Sequence, residues 1–177
     1  EEGRVCQLVV WFVDLEEGEN PEEAFDIRTN LSVLEPVQEG WKGRVRLRDW
    51  EGFFEAEDSY PLLVCSDVKS EEEAEIACEK LLTQQYAALD VMMTALLDRY
   101  PIMQLEYGHT MADNAPEMPN VLDKNDFSAL LYPKRIVFNP NQNTIAAAFS
   151  CTWDTENGFA AIVRASRYIA ERVSCIC

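Results

Sequence analysis

The chain has 177 residues, 47% hydrophobic and 27% charged, a composition that predicts one globular domain over residues 1–177. Its 32 Asp and Glu against 15 Lys and Arg give a net charge of −17, which argues against nucleic acid and anionic membrane surfaces, since both need a basic footprint. No apolar run approaches the roughly 18 residues of a membrane span.

Residues 5–13 (VCQLVVWFV) are apolar, β-branched and aromatic, and predict a buried strand. Residues 14–24 predict a loop, broken by Gly18, Asn20 and Pro21, and the stretch from Asp14 to Asp26 holds seven acids and no base. A short strand is predicted around Leu31 to Leu34. From Trp41 to Trp50 the sequence alternates, which places Lys42, Arg44, Arg46 and Arg48 on one face of a strand and Trp41, Val45 and Leu47 on the other. Residues 52–56 and 61–66 are further strand candidates around a turn near Pro61.

The period then changes. Ser70 followed by Glu73 has the spacing of a capping box, and Glu71 to Glu73 suit the positive end of a helix dipole. Ala74, Cys78, Leu81, Leu89, Met92 and Leu96 follow at helical spacing, with Gln85 the polar break. The dominant helix is thus predicted over about 70–100, whole or divided near Thr83, with Pro101 as its stop. Residues 104–122 predict an irregular surface segment, and Asp123 predicts the cap of a short helix through Leu131. Strands are predicted at 135–138, 144–152 and 159–165, with a last one at about 168–176. Asn157-Gly158 signals a tight hairpin turn, because both residue types tolerate positive φ. Strands, one central helix and strands again predict an α+β fold, an antiparallel sheet packed on the helix.

The charge is uneven. Residues 1–80 carry 22 acids and 8 bases, and residues 81–177 carry 10 and 7. Half of the N-terminal bases lie on the 42–48 strand face, where they either pair with acids across strands or form an anion site or a partner contact. The six cysteines show no disulfide framework and no CxxC pair, so they predict free thiols, mostly buried, in a cytoplasmic protein, with a cleaved leader left open.

His109 is the only histidine, so no site can use two imidazoles, and beside Gly108 it is expected to be solvent-exposed. No GxGxxG, P-loop or GxSxG motif occurs. Asp123-Lys124-Asn125-Asp126 lacks the glycine and the bidentate glutamate of a calcium loop. No metal or other cofactor is predicted. Asp154 and Glu156 flank the predicted turn beside Trp153. They read either as an acid–base pair or, more simply, as turn chemistry in which Asp bonds its own backbone.

The segment Trp153-Asp154-Thr155-Glu156-Asn157-Gly158, preceded by Cys151, resembles a bacterial family of uncharacterised single domains whose C-terminal hairpin carries Trp-Asp-x-Glu-His-Gly. The order of elements extends the resemblance over residues 41–174, with Gln84 or Gln85 near the helix opening and Tyr100 at its end. Asn157 stands where that family has His. The resemblance implies protein binding in toxin–immunity neighbourhoods more than catalysis.

The function expected is a non-catalytic acidic protein-binding module of the immunity type, whose partner is a basic toxin steered by complementary charge. Asp14, Glu16, Glu17, Glu19, Glu22 and Glu23, together with Glu71, Glu72 and Glu75, are the expected contact residues. The alternatives are a metal-dependent or carboxylate-based hydrolase using Asp154 and Glu156, and a structural or oligomeric scaffold exposing Trp11, Trp41 or Trp50.

Overall fold

A computed structural model describes residues 8–13, 30–55, 59–65, 68–110 and 114–165. The strands are β1 (Leu8–Val13), β2 (Glu35–Val37), β3 (Gly40–Val45), β4 (Tyr60–Cys65), β5 (Leu131–Asn139), β6 (Thr144–Cys151) and β7 (Phe159–Ala165). They form one sheet in the order β1-β7-β6-β5-β4-β3-β2. Two α-helices, α1 (Arg48–Phe54) and α2 (Glu71–Glu106), and a 3-10 helix (Lys124–Ala129) complete the described elements. The fold is α+β, as expected. The sheet is mixed: β1 pairs with β7 and β4 with β5 in parallel, while the other four pairings are antiparallel. Helix α2 supplies the crossover that a parallel β4–β5 pairing requires.

Alternation along the strands sorts the side chains. Leu62 and Val64 of β4, Ile136 and Phe138 of β5, Ile145, Ala147 and Phe149 of β6, and Ala161 and Val163 of β7 are all buried on one face. The core on that face is completed by Cys78, Leu81, Leu82, Met92 and Leu96 of α2. Trp50 of α1 is fully buried, stacks on Phe149 at 6.1 Å and donates its indole N–H to the Gln85 carbonyl at 2.9 Å. Truncating such a side chain to Ala removes about 3–5 kcal/mol of stability.

Helix α2 is continuous through Thr83 and has 36 residues. The Ser70 hydroxyl accepts from the Glu73 N–H at 3.2 Å, as its spacing predicts. The helix does not stop at Pro101 but runs to Glu106 with the proline inside. Pro101 lies on the exposed side, where the carbonyl it leaves unbonded can meet water. The true end is a Schellman motif: His109 N–H donates to the Gln104 carbonyl, Gly108 N–H to that of Leu105, and Gly108 takes φ +82°.

The N-terminal half departs most from expectation. The alternating strand ends at Val45, and Arg48 already belongs to α1, so Lys42, Arg44, Arg46 and Arg48 do not share one face. Residues 52–54 are helix rather than strand, because Leu47, Trp50 and Phe54 recur at helical spacing and are all buried. Leu31 makes only an isolated bridge to Val45, and the strand lies at 35–37. Trp41 is half-buried, with its indole N–H on the Val68 carbonyl at 3.1 Å. The expected scaffold patch therefore loses Trp50 to the core.

The segment after α2 is irregular and mostly at the surface, as expected, but it is pinned to the core at one point. Met118 is fully buried, and the buried Gln104 amide donates to the Met118 carbonyl at 3.0 Å. Asp123 caps the 3-10 helix by accepting from Asn125 N–H at 2.8 Å. The expected loop at 14–24, the strand at 168–176, and Cys6, Cys175 and Cys177 lie outside the described residues.

Candidate functional site

The hairpin motif forms a closed turn. Antiparallel pairing of β6 and β7 ends at Phe149–Phe159 and residues 152–158 connect the two strands, so Asn157-Gly158 is not a two-residue turn. Only Gly158 of that pair has positive φ, at +72°, and a Cβ there would sit 2.3 Å from the Phe149 carbonyl oxygen. Trp153 packs edge-on against Tyr100 at 5.6 Å and against Phe159 at 6.2 Å.

Both Asp154 oxygens are engaged. Oδ1 accepts from the Asn157 N–H at 3.0 Å and its amide at 3.1 Å, and Oδ2 accepts from that amide and from the Tyr107 hydroxyl, each at 3.2 Å. These bonds, the Asn157 backbone N–H first, hold the Asp154 carboxyl below the usual carboxylate range against a smaller opposing effect of burial. The Asp154 carbonyl accepts from Gly158 N–H at 2.9 Å. Asn157 thus serves Asp154 as a donor, a part that its amide fills without any titratable group. Glu156 is exposed. The arrangement organises a turn, the simpler of the two readings.

The acidic helix start is built differently. Glu71, Glu72 and Glu75 are all exposed, as are Glu73 and Glu79, and Ile76 among them is 59% exposed. Glu73 accepts from the Lys69 N–H at 2.8 Å, whereas none of Glu71, Glu72 and Glu75 pairs with a base among the described residues. Asp14, Glu16, Glu17, Glu19, Glu22 and Glu23 lie outside the described residues.

Two bases of the 42–48 stretch, Arg44 and Arg46, find local partners. Arg46 makes a two-pronged pair with Glu51 of α1, at 2.5 and 2.9 Å. Arg44 donates to the Ser59 hydroxyl at 2.8 Å and also to its carbonyl. Arg46 thus pairs with an acid on α1 rather than on a neighbouring strand, and among the described residues no ion pair joins Lys42 to Glu35, its register partner on β2.

Burial raises the Cys78 thiol to about 12, helped by the charge of Glu75, so it stays protonated and unreactive. Cys65 is half-buried, and Cys151 is buried with its thiol 3.5 Å from the Asp154 carbonyl oxygen. Burial also raises the Tyr100 hydroxyl, which has no hydrogen-bond partner among the described residues. His109 is half-buried rather than exposed, because its backbone closes the helix end. Among the described residues, no three His, Cys, Asp or Glu side chains converge as a metal site.

A groove of about 370 Å³ lies between α1, α2 and the 3-10 helix. Helix α1 contributes Asp49 and Phe53, one turn apart, and α2 contributes Tyr86, Leu89, Asp90 and Met93 from a single face. Lys124 and Asn125 close one side, where the Lys124 ammonium pairs with Asp90. The Gln85 carboxamide accepts from the Asp49 N–H at 3.2 Å and fixes the start of α1 against α2. No sequence signal marked this groove, since its residues come from three separated segments; the buried Gln85 within an apolar stripe is the one visible clue to a helix docked there.

Residues 31–174 match a family described as a domain of unknown function, DUF6985. The chain belongs to this family. The match takes in β2 to β7 and both helices and begins after β1. At this level the expected membership in a family of uncharacterised domains holds. No curated protein and no solved structure matches the chain. No described helix is long and apolar enough to cross a membrane.

Proposed function

We propose that this DUF6985 protein is a non-catalytic module that docks a basic protein partner through its negative exterior. The observation that carries the reading is the carboxylate group Glu71, Glu72 and Glu75, unpaired among the described residues, around the exposed Ile76 at the start of α2. An apolar centre with a charged rim is the common anatomy of a protein interface. A net charge of −17 steers a cationic partner toward it. The Asp154 carboxylate is committed to its turn, which weighs against a hydrolase built on Asp154 and Glu156. The hairpin's likeness to the Trp-Asp-x-Glu-His-Gly family supports an immunity-type role in a bacterial cytoplasm, with a nucleic-acid-directed toxin as the basic partner.

Calorimetry of the full chain with the basic protein encoded beside its gene tests the reading. Tight binding that weakens with salt is expected, and the triple reversal Glu71→Lys, Glu72→Lys, Glu75→Lys is expected to weaken it about a hundredfold, mainly through slower association. Absence of binding, or binding indifferent to salt, overturns it.

A further inference from the structure

The groove between the two α-helices holds an apolar floor, two ring faces and a carboxylate without a partner among the described residues. Tyr86 is 65% exposed, while Leu89 and Met93 beneath it are almost fully buried. Asp90 is taken by Lys124. Asp49 has no ion-pair or side-chain hydrogen-bond partner among the described residues, and loss of surrounding water raises its carboxyl above the ordinary value. An apolar occupant would strand that carboxylate in a drier setting. An anion would be repelled by Asp49 and by the whole molecule. A cation with a flat face and a long apolar stem satisfies every wall: the stem lies on Leu89 and Met93, the plane lies against Tyr86 or Phe53, and the charge meets Asp49.

We infer that this groove is the anchor site for one arginine side chain of a basic protein partner, held by Asp49 and flanked by Tyr86 and Phe53. The inference rests on the reading of the protein as a module for a basic partner and adds where that partner's anchor residue enters. Lysine fits less well, because a compact, strongly hydrated ammonium gains less from the ring faces than a guanidinium does.

The full chain carrying ¹³C-methyl methionine is titrated with a blocked Gly-Arg-Gly peptide. The Met93 methyl resonance is expected to shift and saturate, and Gly-Lys-Gly to bind more weakly. Asp49→Asn is expected to weaken arginine binding about tenfold, and Tyr86→Ser, on an exposed position, to weaken it as well. Glu39→Gln, in the distant turn between β2 and β3, removes the same charge and is expected to leave the titration unchanged. A silent Met93, a titration indifferent to Asp49→Asn, or equal binding of the lysine peptide overturns the inference. An intact basic protein whose binding falls with the Glu71, Glu72 and Glu75 reversals but not with Asp49→Asn overturns the anchor and leaves the partner reading standing. A saturable Met93 response in a chain that binds no basic protein supports the anchor and removes that reading.

Discussion

Asp154 and Asp49 are the same side chain in opposite settings. Asp154 spends both oxygens on four hydrogen bonds inside its turn, and its carboxyl is held below the usual range. Asp49 stands at a groove with its carboxylate unpaired among the described residues, and its carboxyl is raised. The conspicuous motif of the sequence builds a turn, and a carboxylate without a partner among the described residues sits where no motif pointed. An acidic residue is informative by how many of its lone pairs the fold has already used, not by the company it keeps in sequence.

The sharpest way to break the contrast is Gly158→Ala. Positive φ and a Cβ 2.3 Å from the Phe149 carbonyl oxygen should destabilise the protein by about 3 kcal/mol, read by thermal or denaturant unfolding, and loosen the turn that Asp154 organises. Next comes Gln85→Leu, which removes the acceptor of the Asp49 N–H and should lower stability by about 2 kcal/mol while moving α1 and the groove. Asp154→Asn should lower stability by about 1 kcal/mol at neutral pH. Because the folded Asp154 pKa is depressed, its contribution is present above the unfolded carboxylate value and disappears as pH falls through the folded value, so mutant and parent converge in acid. Asp49→Asn should have the smallest effect and the opposite sign. A raised folded pKa disfavours the ionised form in the fold, so the substitution slightly raises the melting temperature at neutral pH, and the gain fades as pH falls through that raised value. Loss of stability in Asp49→Asn would show that the carboxylate is already used and would end the contrast.

Much of the architecture was legible because period and capping agreed locally. Helix α2 announced itself through Ser70 and the Ala74–Leu96 stripe, and β5 to β7 through short β-branched and apolar runs. Two readings failed where periods change. Leu47, Trp50 and Phe54 carry a helical spacing that begins inside what looks like a continuing strand alternation. Pro101 looked like a stop, but Gln104 bonded to Met118 and the glycine closure at Gly108 lie beyond it and hold the last turn. The parallel pairing of β4 with β5 left no local mark, since a short apolar strand reads alike in either direction. The turn chemistry of Asp154 was readable from residue type alone, whereas the groove depends on Asp49, Tyr86 and Lys124 meeting across three segments and was not.

The β4–β5 seam has a kinetic consequence. On one side, β2, β3 and β4 follow one another as antiparallel neighbours; on the other, β5, β6 and β7 do the same. Each ribbon pairs strands that are neighbours in sequence, although α1 intervenes between β3 and β4, but Leu62 reaches Ile136 only after the whole of α2 has folded back between the ribbons. Closing that long loop carries an entropic cost that neither ribbon meets internally, so the refolding rate should respond to substitutions along the seam and at the α2 core face more than to changes within either ribbon.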